Sequence, residues 1–148
     1  MSRGPLAPGD VLEVGEEGAW GYLLYLGRHV EYGDGVAVVP RLWPERPELG
    51  DRLFDDHYAT FYPAGRALRA GLAKVIGRVS PRPMPGSWRR HGMRAFNPDA
   101  PWIVTEGRKD RLVAQLGETE RRYPIASIWN HEMLLHCLAA GWRPTDDV

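Results

Sequence analysis

Pro8-Gly9-Asp10-Val11-Leu12-Glu13-Val14, followed by Gly18-Ala19-Trp20-Gly21-Tyr22-Leu23-Leu24-Tyr25-Leu26-Gly27, decides the fold of this 148-residue chain. Pro-Gly-Asp opens a strand, Glu16-Glu17-Gly18 is a short acidic turn, and a run rich in aromatics and Leu returns antiparallel to the first. β-Branched and aromatic residues suit a pleated backbone, and the Gly, Pro and acidic residues that bound them supply the turns. The stretch is therefore a β-hairpin that starts a small antiparallel sheet or curled barrel. Its only titratable groups of catalytic type are ordinary carboxylates.

The remaining elements follow from the same punctuation. Residues 1–9 form a flexible lead-in, and strands are predicted over 10–15 and 19–28. Glu31-Tyr32-Gly33-Asp34-Gly35 is a second turn, and Val36 to Val39 a third strand stopped by Pro40. Arg41 to Gly50 holds Pro44 and Pro47 and is loop; Leu53-Phe54 and Ala59 to Tyr62 are short strand candidates. Ala64 to Gly71 reads as two helical turns closed by glycine, and Ala73 to Val79 as a further strand. Residues 80–101 form a long Pro-rich loop, pinned to the body by Trp88, Met93 and Phe96. Trp102 to Thr105 and Arg111 to Leu116 pair as a hairpin. Ser127 is the expected N-cap of a helix from Ile128 to Ala140, with Gly141 as C-cap and Trp142 folding back. The expected class is α+β: a mainly antiparallel β-sheet or small curled barrel with a short middle helix and a packed C-terminal helix, in one domain over 1–148.

A domain of this length buries about two-thirds of its unfolded surface, and 43% hydrophobic residues with six Trp supply the core. No apolar run approaches the roughly 18 residues that cross a bilayer, and the start lacks a signal segment, so the expected location is the cytoplasm without a membrane partner. The single Cys137 excludes an intrachain disulfide or thiolate metal cluster and reads as a buried thiol among leucines.

Net charge is zero, but the charges are segregated. Residues 1–56 carry a balance of −6, residues 57–98 hold eight bases and no acid, and residues 99–148 carry −2. The basic block is either an anion-binding or partner-binding face, or it packs beside the acidic block and the two neutralise each other.

Candidate chemistry is sparse. His131 and His136 stand five apart, well separated around a helix, so they do not face one metal, and no metal or cofactor is expected. Asp55-Asp56-His57-Tyr58 sets carboxylates beside an imidazole, but strand neighbours point to opposite faces and no nucleophile motif accompanies them. The expectation is a protein that is not an enzyme. Arg82, Trp88, Arg89, Arg90 and Arg94 resemble in composition a nucleic-acid groove, where bases stack on rings and Arg meets phosphate. The neutral whole-chain balance weighs against that alternative. Trp43 and Trp88 lie in Pro-rich loops and are the tryptophans expected to reach the surface as interface anchors.

The two ends of the chain together resemble the Immunity protein 26 family. Its opening, a Gly-Asp strand followed by a Gly-aromatic-Gly strand, is similar to Pro8 to Val14 and Gly18 to Leu26. Gly71-Leu72-Ala73-Lys74-Val75-Ile76-Gly77 looks like its middle strand, and Tyr123 to Asn130 with Leu134-Leu135 and Gly141-Trp142 like its closing helix. The matches occur in order across residues 8–142. The resemblance implies a bacterial immunity protein, a cytoplasmic binder that neutralises a cognate toxin, often a nuclease, without an active site. On that reading Glu16, Glu17, Glu48, Asp51, Asp55 and Asp56 imitate nucleic-acid phosphates toward a basic toxin cleft, with Trp43 as anchor between them.

Overall fold

The computed structural model describes residues 5–90, 102–105, 109, 111–112, 118–125 and 128–143. The chain divides into two compact units, Met1–Met84 with Ile128–Val148, and Pro85–Ser127.

In the first unit the opening hairpin forms as expected. β1 (Asp10–Glu16) and β2 (Ala19–His29) pair antiparallel from Val11 opposite Leu24 to Glu16 opposite Ala19. Gly15, opposite Trp20 near the end of β1, requires glycine: its φ of +91° is in the region L side chains avoid, and a Cβ there would stand 2.1 Å from the Ala19 carbonyl oxygen. β3 (Gly33–Val38) adds to β2, β4 (Tyr58–Phe61) to β3, and β5 (Ala73–Arg78) to the free side of β1. The order is β4-β3-β2-β1-β5, antiparallel throughout. Of the two expected forms, the sheet is the open one rather than a closed barrel.

Both faces are covered, which explains why the strands are apolar on both sides. One face presents Leu12, Val14, Leu23, Tyr25, Val36 and Val38 to α1 (Ala64–Arg69) and α2 (His131–Ala140), which contribute Ala64, Ala67, Leu134 and Leu138. The other presents Val11, Tyr22, Leu24, Leu26, Ala37 and Val39 to Phe54, Trp43, Leu53 and Met84 from connecting segments. Asp34 ties the helix side together, accepting the Tyr25 hydroxyl at 3.0 Å and the Gly65 N–H at 3.1 Å.

Two expectations are corrected here. Leu53-Phe54 is not a strand: Asp51–Phe54 is a 3-10 turn, closed by the Leu53 N–H on Gly50 O and the Asp55 N–H on Arg52 O. The C-terminal helix starts at His131 rather than Ile128. Asn130 is its N-cap, its side chain accepting the Met133 N–H at 2.7 Å, whereas the expected cap Ser127 lies outside the described residues. Ile128 instead bridges Phe61, and the Trp129 N–H bonds the Phe61 carbonyl at 2.9 Å. Gly141 closes the helix at φ +66°, as expected. Trp142 turns back, with its ring 5.1 Å from Trp129 and 5.5 Å from Tyr58.

The second unit is a three-stranded antiparallel sheet, β6 (Ser87–Arg90), β7 (Trp102–Thr105) and β8 (Arg111–Leu112), in that order. The expected hairpin is β7 with β8. β6 lies inside what sequence assigns to loop; its residues carry no proline, and its pairing with β7 is a long-range contact that local pattern does not report.

Candidate protein-binding surface

The β1–β2 turn and the loop after β3 meet at the start of β2. Trp20 and Trp43 form an antiparallel bridge, with the Trp20 N–H on Trp43 O at 2.8 Å and the Trp43 N–H on Trp20 O at 2.7 Å. Each indole carries a guanidinium: Arg41 lies 3.7 Å over the Trp43 ring and Arg46 4.2 Å over Trp20. Such stacks hold long side chains in place at little loss of charge exposure.

Beneath them is a cluster that sequence reasoning missed. Glu13 is buried on the sheet, accepting Arg46 Nε at 3.0 Å, Arg46 Nη2 at 3.1 Å and the Tyr22 hydroxyl at 2.9 Å. Burial, then the hydrogen bond to Glu13, holds the Tyr22 phenol well above the ordinary tyrosine range. Arg46 is held charged above its usual value, first by that same Glu13 bond. The signal was present: Glu13 shares a strand face with Val11, and a carboxylate on a buried apolar face demands a partner. Its partner stands 33 positions away, beyond any local pattern.

Around this anchor the expected acidic residues separate into two groups. Glu16 and Glu17 are exposed at the hairpin tip and Glu48 is exposed in the loop, and none makes an ion pair among the described residues. Asp51, Asp55 and Asp56 are exposed but engaged within the chain. Asp51 accepts the Ser80 N–H at 2.9 Å and the Ser80 hydroxyl at 3.0 Å, which lowers its pKa. Asp55 lies 3.6 Å from Arg82. Asp56 takes a two-bond pair from Arg143, at 2.7 and 2.5 Å, and that pair lowers its pKa. Trp43 is half-buried, with its ring under Arg41 and its Nε1–H buried without a partner among the described residues.

The acidic and basic blocks of the sequence meet directly. Arg78 pairs with Asp10 at 3.1 Å, and Arg82 reaches Asp55 and the Asp51 carbonyl. The exposed Arg82–Asp55 pair adds little stability, whereas Asp10 is buried beneath Arg78; both pairs cancel the field of the two blocks locally.

The alternative nucleic-acid residues fall in different settings. Trp88 was expected at the surface; it is fully buried, and its Nε1–H bonds Pro85 O at 3.0 Å. An amphipathic indole with a main-chain acceptor within reach is stable inside. Arg89 is half-buried with Nε on the Tyr123 carbonyl at 2.9 Å, and burial, then the Arg121 charge, lowers its pKa. Arg82 is held as above, the Arg90 side chain is not described, and Arg94 lies outside the described residues.

His57 directs Nδ1 to the Phe54 carbonyl at 2.6 Å, while its neighbours Asp55 and Asp56 pair with Arg82 and Arg143. Among the described residues no three His, Cys, Asp or Glu side chains are placed to hold a metal ion, and no helix is long and apolar enough to cross a membrane. No family model, curated protein or solved structure matches the chain.

Proposed function

We propose that this protein is an immunity-type binder that captures a cognate toxin in the cytoplasm and neutralises it by occupying its surface, without catalysis. One observation carries the reading. Glu16, Glu17 and Glu48 are exposed and outside any ion pair among the described residues, on a turn and a loop that the Trp20–Trp43 bridge fastens together. Carboxylates held on a pre-ordered frame bind a basic cleft with little further loss of conformational freedom. Their charge speeds encounter, and the half-buried Trp43 under Arg41 supplies an amphipathic contact beside them. A nuclease cleft built for phosphates is the kind of partner such a surface fits. The resemblance in motif order to the Immunity protein 26 family points to the same class.

Co-expression with the product of the adjacent open reading frame tests the reading. The expected result is that the neighbour alone arrests growth, that this protein restores it, and that Glu16→Lys with Glu17→Lys and Glu48→Lys abolishes the rescue. A harmless neighbour, or full rescue by the triple variant, contradicts it.

A further inference from the structure

One edge of the five-stranded sheet is covered at its end by the chain itself. β4 carries the bridge from Phe61 to Ile128, and its Phe61 carbonyl accepts the Trp129 N–H. β5, at the other edge, has no strand beside it among the described residues. An edge strand turns alternate amides and carbonyls away from its sheet, and those groups template another strand.

The edge has a distinctive chemistry. A shallow, open groove of about 410 Å³ is lined by Asp10, Val75, Ile76, Gly77 and Arg78. Ile76 is 39% exposed and Leu72 45%, large apolar side chains left in water beside Lys74 and Arg78. Val75 opposes Leu12 and Gly77 opposes Val11, so Ile76 is the extra residue of a bulge. α1, packed against β5, adds the exposed Arg66 and Arg69. The one carboxylate in the groove, Asp10, is buried and already accepts the Ala7 N–H and Arg78 Nε. The exposed cations along this edge that the chain does not pair are Lys74 and, on α1, Arg66 and Arg69 among the described residues.

We propose that the β5 edge is a strand-addition site for an extended, acidic segment of a partner protein. Main-chain hydrogen bonds supply the affinity, Lys74 with Arg66 and Arg69 favours acidic side chains, and the exposed Ile76 and Leu72 offer apolar contact. A second copy of this chain fits poorly. Pairing two copies edge to edge gathers the Lys74, Arg66 and Arg69 charges of both, and like charges brought together are destabilising. The recognising residues Lys74, Ile76 and Leu72 differ from Glu16, Glu17 and Glu48, so a peptide-binding measurement on the native chain tests this site separately from toxin capture.

The test is fluorescence anisotropy of the full chain with a blocked, labelled peptide of alternating Glu and Val, about eight residues long to match a strand. The expected result is saturable binding with slowed amide exchange over residues 73–78. Lys74→Glu weakens binding by about tenfold or more, and a peptide N-methylated at alternate amides does not bind, a control that needs no variant protein. Binding absent up to millimolar peptide, retained by the N-methylated peptide, or equal for a peptide with Lys in place of Glu overturns the proposal. So does a dimer in sedimentation that the peptide competes apart, which assigns the edge to a second copy.

Discussion

The carboxylate of Glu13 and the guanidinium of Arg46, 33 positions apart, meet through two hydrogen bonds of 3.0 and 3.1 Å on the face of the sheet away from the helices. The pair locks the loop after β3 to the opening hairpin, and Arg46 in turn stacks on Trp20, the residue whose backbone bridges Trp43. One buried carboxylate thus organises the display of the exposed ones. The arrangement leaves Glu13 dependent on its donors, because a buried carboxylate stripped of hydrogen bonds retains its desolvation cost.

Tyr22→Phe removes one of those donors, the hydroxyl at 2.9 Å from Glu13, with no change of ring volume. Loss of a hydrogen bond to a buried charge costs about 2 kcal/mol, and urea unfolding of the variant is expected to show that loss. An unchanged midpoint and slope contradict it.

Gly15→Ala acts on the end of β1, opposite Trp20. The left-handed φ and the Ala19 carbonyl at 2.1 Å from a built Cβ leave no room for adjustment short of moving the hairpin. The expected cost is about 1–3 kcal/mol, read by thermal unfolding, with Gly18→Ala milder because a Cβ there meets nothing within 4 Å.

Tyr58→Phe is expected to do the reverse. The Tyr58 hydroxyl is buried among the Trp129 and Trp142 rings with no hydrogen-bond partner among the described residues. Removing an unsatisfied buried hydroxyl leaves stability unchanged or raises it by up to about 1 kcal/mol. A clear loss in urea unfolding shows that the hydroxyl has a partner in solution.

His131 gives a pH dependence. Its Nδ1 meets the Tyr62 hydroxyl at 2.8 Å, and burial holds its pKa below the ordinary histidine value, with the Glu132 charge opposing. The unfolded chain therefore takes up this proton at a higher pH than the native protein does. The group's contribution is complete above the unfolded value of about 6.5 and declines as pH falls toward the native value. Stability measured at pH 7.5 and pH 5.5, values about one unit either side of that pKa, is expected to fall more for the native protein than for His131→Gln. Equal pH dependence in the two contradicts it.

The opening hairpin, the middle helix and β5 were legible because Gly, Pro and alternating apolar residues mark them locally. What escaped depends on distant partners. Ile128 stands seven positions before Leu135, a spacing that keeps one helical face, but Phe61 recruits it into a bridge and Asn130 caps the helix two residues later. β6 exists through β7, and Trp88 is buried although the prolines around it suggest an exposed loop. In the candidate surface the acidic residues were legible as a charge block. Which of them are engaged within the chain was not, since Arg82, Ser80 and Arg143 come from segments remote in sequence.

The most direct measurement is the association rate of this protein with the purified product of the adjacent open reading frame, taken over a range of salt. For capture steered by Glu16, Glu17 and Glu48, the native protein associates fast and slows as salt rises, and the triple Lys variant associates about tenfold or more slowly with a flatter salt dependence. An association rate and salt dependence unchanged by the triple substitution contradict capture through this surface.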